Sequence, residues 1–191
     1  MRERRDVTRS KQLIKQAYFA LLFRKEHQKI TVNDILEEAN VSRGTFYSHY
    51  QDILALQEQL KNDIVSACKK TLKQKSLEEI IKDPYAQVKT FVDTFEVHKK
   101  EICALVMHPG STDITTKFKH LIIKGLMDSG YFLPDPNISL LLYSCIAGAL
   151  VDCYIDWIVK DCPVDKETLI HTICDFLSGG ILNLYNKCSN K

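Results

Sequence analysis

The amino-acid sequence predicts an all-α protein of about nine to ten helices, in which a small three-helix head precedes a larger helical domain. Apolar residues recur three and four positions apart along most of the chain, a spacing that places them on one face of a helix. Glycine and proline, which interrupt helices, number only seven and five and cluster at a few breaks. No alternating apolar run bounded by turn residues indicates a strand. With 45% hydrophobic residues among 191, the chain can bury a substantial core.

The head is predicted to begin with a helix from about Thr8 to His27. A second, shorter helix is predicted to follow, because Thr31 and Asp34 have the spacing of a capping box and precede an apolar face that ends at Ala39. The apolar residues of the first helix follow helical spacing: Ile14, Ala17, Tyr18, Leu21 and Leu22.

A tight turn separates the second helix from the third. Asn40 stands where the second helix should end, and asparagine tolerates the left-handed backbone that such an end requires. Ser42 can cap a third helix over Arg43 to about Tyr50. Asp52 can cap a fourth helix, which extends to about Lys73.

The remaining chain is predicted to form longer helices around a second core. We place the boundary after residue 53, giving a head of residues 1–53 and a second domain of residues 54–191, with the fourth helix linking the two. The predicted helices of the second domain are Ser76–Lys82, Pro84–Val97, Lys99–Met107, Asp113–Ser129, Asn137–Val159 and Asp165–Asn186.

Positive charge is concentrated at the N-terminus. Residues 1–29 carry nine lysines and arginines against three acidic residues, so this segment has a charge of +6 while the rest of the chain has −4. Such a basic head is typical of a protein with an anionic partner, although a solvated charged helix would have the same composition.

Two features bear on where the protein acts. The seven cysteines are odd in number and include no C-x-x-C pair, and the N-terminus has no apolar stretch typical of a secretory signal, so we expect a reducing cytoplasm. A redox-sensing role for the cysteines remains open. Ile138–Val159 is strongly apolar, but Asp152 and Asp156 limit its uncharged run to about 14 residues, fewer than the roughly 20 that span a bilayer. We therefore expect a buried helix and no membrane association.

The segment around the tight turn has the size of a helix-turn-helix. Its apolar residues would face the first helix and set the angle between the two short helices: Ile35, Val41, Phe46 and Tyr50. Its polar residues would face outward: Arg43, Thr45, Tyr47, Ser48 and His49. Hydroxyl groups can donate to phosphate oxygens, and arginine can read guanine. Gly44 costs the helix about 1 kcal/mol relative to alanine but permits close approach of a DNA backbone. The alternative is a packing helix with incidental polar residues.

The stretch ITVNDILEEANVSRGTFYSHYQD, residues 30–52, resembles the DNA-binding signature of the TetR family of bacterial transcription regulators. Asn40 replaces the usual turn glycine. The resemblance rests on Ile30, Thr31, Val32, Ile35, Ala39, Val41, Ser42, Gly44, Thr45, Phe46, Tyr47, His49 and Tyr50.

This resemblance implies a set of DNA contacts. Thr31 corresponds to a phosphate contact at a helix N-terminus, and Asn33 to a residue that reaches a base or the backbone. A mobile N-terminal arm with Arg2, Arg4 and Arg5 would enter the minor groove. The recognition helix and its cap would contribute Ser42, Arg43, Gly44, Thr45, Tyr47, Ser48 and His49. Family members often carry a phosphate-contacting lysine at the position of Ile53, so one charged contact per half-site is expected to be missing here.

The second domain resembles the regulatory domain of the same family, in the subtype common in low-GC Gram-positive bacteria. That subtype includes an activator of dihydroxyacetone utilisation, whose role we do not transfer. The last two helices are expected to form a homodimer through apolar faces, although burial within one protomer would give the same pattern. The expected interface residues are Ile146, Leu150, Ile173, Phe176, Leu177, Ile181 and Leu184, with Tyr154 and Trp157 on the same face.

The resemblance implies a regulator, most simply a dimeric repressor that binds a palindromic operator in double-stranded DNA and is released by an unknown small-molecule effector. The alternative is a regulator or activator whose second domain docks a protein partner. No nucleophile elbow, phosphate-binding loop, dinucleotide fingerprint or zinc-protease motif is present, so we expect no enzyme, catalytic residue, cofactor or metal site. Residues expected to line a ligand pocket are Phe91, Phe95, Met107, Phe118, Tyr143 and Trp157.

Overall fold

The computed structural model describes residues 2–24, 29–72, 79, 82–107, 112–130 and 135–189. Within these residues the chain is all-helical, as predicted, and has no strand. The helices are α1 (Arg2–Leu22), α2 (Val32–Ala39), α3 (Arg43–His49), α4 (Ile53–Thr71), α5 (Pro84–Glu96), α6 (Lys99–Val106), α7 (Thr112–Asp128), α8 (Pro136–Val159) and α9 (Lys166–Ser189). The predicted end of the first helix at His27 and most of the predicted helix over residues 76–82 lie outside the described residues.

The N-terminal arm is a correction. Arg2, Arg4 and Arg5 were expected to form a mobile arm before a helix that starts at about Thr8, but α1 begins at Arg2. The segment contains no glycine or proline, and its arginines and glutamate favour helix, so nothing in it ends the helix early. The backbone that carries Arg4 and Arg5 is therefore helical.

The head is a three-helix unit around one apolar centre. α1 packs against α2 and α3. Ile14 and Tyr18 from α1 are fully buried with Ile35 and Phe46 from the short helices, and Leu56 of α4 is buried in the same core. Burying each large apolar side chain contributes about 1.5–3 kcal/mol, so these contacts fix the angle between α2 and α3.

The second domain is built around α8, which packs against α5, α6, α7 and α9. Eleven residues of α8 are buried. By length and composition alone this helix could cross a membrane, but half of its most apolar window is buried inside the protein, as in the core helix of a folded domain. The expectation of a buried helix is confirmed.

Most of the residues predicted for a dimer face lie in the core of the protomer. Ile146 and Leu150 of α8, with Ile173 and Leu177 of α9, are buried within the protomer. Phe176 alone among the described members of that face is exposed, at 69%. The side chains of Ile181 and Leu184 lie outside the described residues. Because α8 is apolar on almost every side, its sequence pattern did not reveal which face packs inward.

Candidate nucleic-acid interface

The start of α2 is held by the predicted capping box. The Thr31 hydroxyl oxygen accepts a hydrogen bond from the backbone N–H of Asp34 at 3.2 Å, and the Asp34 carboxylate accepts from the backbone N–H of Thr31 at 2.8 Å. The Thr31 hydroxyl also donates to this carboxylate, at 2.9 Å. A phosphate oxygen at this position would therefore compete with Asp34 for the hydroxyl proton.

The turn between α2 and α3 has the predicted geometry. Asn40 adopts φ 50° and ψ 51°, in the left-handed region, and its N–H bonds back to the last turn of α2. Ser42 caps α3, because its hydroxyl oxygen accepts from the backbone N–H of Thr45 at 3.1 Å. The two hydroxyls of Ser42 and Thr45 are also hydrogen-bonded, at 2.8 Å. These local bonds set the position at which α3 begins.

The inner face of the helix-turn-helix is the one expected. Ile35, Phe46 and Tyr50 are buried, and Val41 is half-buried against the same core. The rings of Phe46 and Tyr50 are 5.8 Å apart. This packing leaves the opposite side of α3 in solvent.

The outer face presents polar groups at the first turns of α3. Ser42, Arg43 and Ser48 are exposed, while Thr45 is half-buried. The Tyr47 side chain is 49% exposed, with its ring edge-on to Phe46 at 5.4 Å. Contact with the Phe46 ring thus helps to position the exposed Tyr47 side chain that carries the hydroxyl.

Arg43 and Asn33, two of the expected contact residues, are joined to each other. The Arg43 guanidinium donates a hydrogen bond to the Asn33 side-chain oxygen, which ties the start of α3 to α2. A guanidinium has five N–H donors, so this bond leaves donors for a guanine or phosphate. Sequence reasoning placed both residues at the interface but did not detect the bond between them.

His49 differs from expectation in its direction. Its Nε2 lies 2.8 Å from the Ser10 hydroxyl of α1, and the side chain is half-buried instead of facing outward. Burial lowers the pKa of His49, and the charge of Lys11 lowers it further, so the imidazole is neutral at pH 7. Because 39 residues separate Ser10 from His49, no local sequence signal pointed to the pair.

Gly44 is not required by packing inside the protein. A Cβ at this position would meet only the Ser42 hydroxyl oxygen, at 3.8 Å, which is an ordinary contact. Ile53, the residue at the usual lysine position, is the first residue of α4 and packs half-buried against the head core. Ile53 therefore provides no positive charge at the position where the family resemblance implies one.

Part of the positive charge of the N-terminal segment is used within the protein. Lys15 pairs with Asp63 of α4, and Arg24 pairs with Glu38 of α2. Arg9 is exposed, whereas the side chains of residues 2–6 lie outside the described residues. The net charge of the segment thus overstates the charge available to an anionic partner.

The aromatic residues expected to line a pocket are packed on one another. The ring of Phe95 lies 4.3 Å from that of Phe91 and 4.5 Å from that of Phe118. Tyr143 is buried, and the Trp157 indole N–H donates to the backbone oxygen of residue 164 at 2.8 Å. Met107 is 63% exposed and stands apart from this group. Among the described residues, no cluster of three or more histidine, cysteine or acidic side chains could hold a metal ion.

No family model and no curated protein matches the chain. Solved structures do match over almost its whole length. A TetR transcriptional regulator from Streptococcus agalactiae 2603V has a TM-score of 0.64 at 22% identity, covering 93% of this chain and 98% of its own. The dihydroxyacetone kinase operon activator DhaS has a TM-score of 0.62 at 14% identity, with 90% and 96% covered. The fatty acid degradation regulator FadR from Bacillus halodurans has a TM-score of 0.62 at 17% identity, with 88% and 98% covered.

These likenesses establish the fold. The chain has the all-helical architecture of TetR-type transcription regulators, and the neighbours are regulators and not enzymes. At identities of 22% and below, the neighbours do not carry residue roles, ligands or operators to this chain.

Proposed function

We propose that this protein is a sequence-specific DNA-binding transcription regulator of the TetR type that acts in the cytoplasm. The observation that carries this proposal is the geometry of α3, whose start is capped by Ser42, whose inner face is buried, and whose first turns present polar side chains to solvent. A short helix held in this way can enter a major groove with its N-terminal residues against the base edges.

Each exposed group has a role in this proposal. Arg43 reads a guanine or a nearby phosphate through the donors that Asn33 leaves free. The hydroxyl of Tyr47 donates to a phosphate oxygen, and that of Thr31 does so when phosphate replaces Asp34 as its acceptor. Gly44 lets the backbone of α3 approach the DNA, since no contact inside the protein explains it.

The regulator acts as a homodimer on a palindromic operator. Since Ile146, Leu150, Ile173 and Leu177 are internal, the dimer uses the exposed sides of the same two helices. The exposed side of α8 includes Leu141 and, four residues later, Cys145. The exposed side of α9 includes Phe176. A two-fold axis through this surface would present two α3 helices to successive half-sites.

Among the described residues, contacts of the head with the second domain, and of the linking helix α4 with the second domain, provide a route for an effector signal. α6 packs against α1 of the head. Glu58 of α4 accepts a hydrogen bond from Lys117 of α7 at 2.8 Å, which lowers the pKa of the Glu58 carboxyl. An effector that favours one arrangement of α6 and α7 would shift the population of DNA-competent dimers. We propose a repressor whose DNA affinity falls when a small molecule binds.

The test is fluorescence anisotropy with DNA from upstream of the protein's own gene and a scrambled duplex, at about 0.15 M salt. The variant Tyr47→Phe removes only the exposed hydroxyl. Tyr85→Phe removes a hydroxyl that bonds Glu167 in the second domain and serves as the matched control. Sequence-dependent binding that weakens in Tyr47→Phe but not in Tyr85→Phe supports the proposal. If both duplexes bind equally, sites are selected from the whole genome. A protein that prefers none of the selected sites over scrambled DNA contradicts the proposal.

A second candidate keeps the DNA-binding head but makes the second domain a platform for a protein partner. It is favoured by the aromatic group, in which Phe91, Phe95, Phe118 and Tyr154 contact one another instead of surrounding a space. A ligand panel and a pull-down distinguish the two. Release of operator DNA by a small molecule supports the repressor, whereas one stoichiometric protein that alters DNA binding supports the platform.

A further inference from the structure

Three reactive side chains from two separate parts of the chain lie near one another along the first turns of α6. Lys99 is the first residue of α6, and its Nζ lies 2.9 Å from the Sγ of Cys162, in the turn between α8 and α9. Cys103 is four residues beyond Lys99, so the two side chains lie on the same face of the helix, one turn apart. Both thiols are half-buried.

The ammonium of Lys99 is held in this position. It lies 4.6 Å above the ring of Trp157 and 3.5 Å from the carboxylate of Glu96. The hydrogen bond with Cys162 is the largest of the effects that raise the pKa of Lys99, so the amine stays protonated at neutral pH. A fixed positive charge therefore faces the sulfur of Cys162, and a cation beside a thiol promotes attack of the sulfur on an electrophile.

Cys103 shares this environment. Burial raises the pKa of the Cys103 thiol, the charge of Lys99 opposes this rise, and Cys162 is close enough to add to it. Its thiol also contacts the sulfur of Met107 at 3.5 Å. Because Cys162 is the thiol in direct contact with the Lys99 ammonium, we expect Cys103 to react second.

Two other cysteines lie in contrasting environments and serve as internal references. Cys153 is exposed on α8, but burial of part of its side chain and the charges of Asp152 and Asp156 raise the pKa of its thiol. Cys68 is fully buried, which raises the pKa of its thiol to about 12. If exposure alone governed reactivity, Cys153 would react before Cys162.

We propose that Cys162 and Cys103 form a peroxide-oxidisable dithiol activated by Lys99. The sulfur of Cys162 attacks hydrogen peroxide, the O–O bond breaks, and the products are a sulfenic acid on Cys162 and one water that carries the thiol proton. The sulfur of Cys103 then attacks the sulfenic sulfur, and the hydroxyl leaves with the Cys103 proton as a second water. Two thiols and one peroxide become one disulfide and two waters.

The disulfide would join α6 to the turn between α8 and α9. α6 already packs against α8 and against α1 of the head. The oxidised bond would thus anchor the helix that connects the second domain to the head.

The experiment exposes the full-length protein to hydrogen peroxide, alkylates the remaining thiols, and maps the peptides by mass spectrometry over time. We expect Cys162 and Cys103 to be lost together into one disulfide-linked peptide pair, several-fold faster than Cys153, with Cys68 unchanged. Lys99→Met should slow this reaction several-fold. Lys100→Met, which removes the neighbouring exposed lysine, should leave the rate unchanged.

A further variant separates the two steps. In Cys103→Ser the first step remains and the second is blocked, so a probe specific for sulfenic acids should label Cys162. The inference is overturned if Cys162 reacts no faster than Cys153, if Lys99→Met behaves as Lys100→Met, or if Cys162 pairs with a cysteine other than Cys103. None of these measurements uses DNA, so their outcome is independent of the proposed function.

Discussion

At the scale of single residues, Gly44 is a position where helix stability and DNA binding are expected to favour different side chains. Glycine in the first turn of α3 lowers helix stability, and the surrounding atoms leave room for a methyl group. A residue that is unfavourable for the fold and unexplained by internal packing is expected where another molecule comes close.

Gly44→Ala is expected to raise the free energy of unfolding by up to about 1 kcal/mol. The same substitution should weaken operator binding by about tenfold, the equivalent of one lost hydrogen bond to a charged group. Chemical denaturation measures the first effect and anisotropy the second. A variant that is stabilised yet binds DNA as well as the wild type would show that close approach of the DNA backbone does not explain the glycine.

Ile53 allows the converse experiment, because a charge can be added there. Ile53→Lys places an ammonium at the start of α4, where its aliphatic stem can still cover part of the head core. DNA affinity should rise, and the slope of log affinity against log salt should steepen by about 0.9 for each half-site. Leu54→Lys, at the adjacent position that is 69% exposed, is the control. Equal gains in both variants would indicate a general charge effect and no specific phosphate contact.

At the scale of elements, α1 and α3 are linked by the Ser10–His49 hydrogen bond as well as by apolar packing. The pKa of His49 is lowered in the folded protein, chiefly by burial. The unfolded chain therefore binds a proton more readily than the folded chain between the ordinary value of 6.5 and the lowered one. His49 thus lowers stability as pH falls through this window and has no such effect above it.

His49→Gln retains an amide N–H that can donate to Ser10 but does not titrate. The interval from pH 7 to pH 5 includes the ordinary histidine pKa of about 6.5. Over this interval the free energy of unfolding should fall more for the wild type than for the variant. His120→Gln, at an exposed position on α7, controls for the loss of a histidine. Parallel pH profiles of the wild type and His49→Gln would mean that His49 does not contribute this pH dependence.

The caps show how much of the head could be read from the sequence. Thr31, Ser42 and Asp52 were predicted as N-caps and Asn40 as a left-handed helix end, and all four are confirmed. Each of these features depends on residues three or four positions apart, so the local sequence contains the whole signal. The helical state of the segment before Thr8 was not predicted, because its charged residues show no apolar periodicity and only their intrinsic propensity favours a helix.

Tertiary choices were harder to predict for a physical reason. On α8, Leu140, Leu141 and Leu142 are consecutive, and only the last is buried. A helix that is apolar all round can bury any face, so periodicity cannot select one. Two further contacts depend on how helices pack together: the bond between Arg43 and Asn33 and the contact between Lys99 and Cys162. The spacing of these residues in the sequence does not predict either contact.

At the scale of the whole molecule, the proposed dimer would use the exposed side of α8 and α9 to hold two heads together. Phe176 is 69% exposed on α9, a large aromatic side chain that a lone protomer leaves in water. Leu141 of α8 is exposed to a similar degree. Burial of both across a two-fold axis would remove this apolar surface from solvent and pair the α3 helices for two half-sites.

Phe176→Asp is expected to leave the protomer folded, because most of the side chain is in solvent. It should also convert the proposed dimer into a monomer by placing carboxylates opposite each other. Phe23→Asp makes the same change at a residue of the head that is 60% exposed, and should remain dimeric. Sedimentation equilibrium measures the mass of each variant, and thermal unfolding confirms that both are folded.

Measuring the DNA affinity of the same variants tests whether dimerisation strengthens operator binding. On a duplex with a single half-site, Phe176→Asp should bind as the wild type does, because α3 is untouched. On the full palindrome the wild type should gain about 10²–10⁴-fold from binding two linked sites, and Phe176→Asp should lose that gain. A Phe176→Asp protein that stays dimeric would place the interface elsewhere. One that is monomeric yet retains full affinity for the palindrome would show that the two heads bind DNA independently.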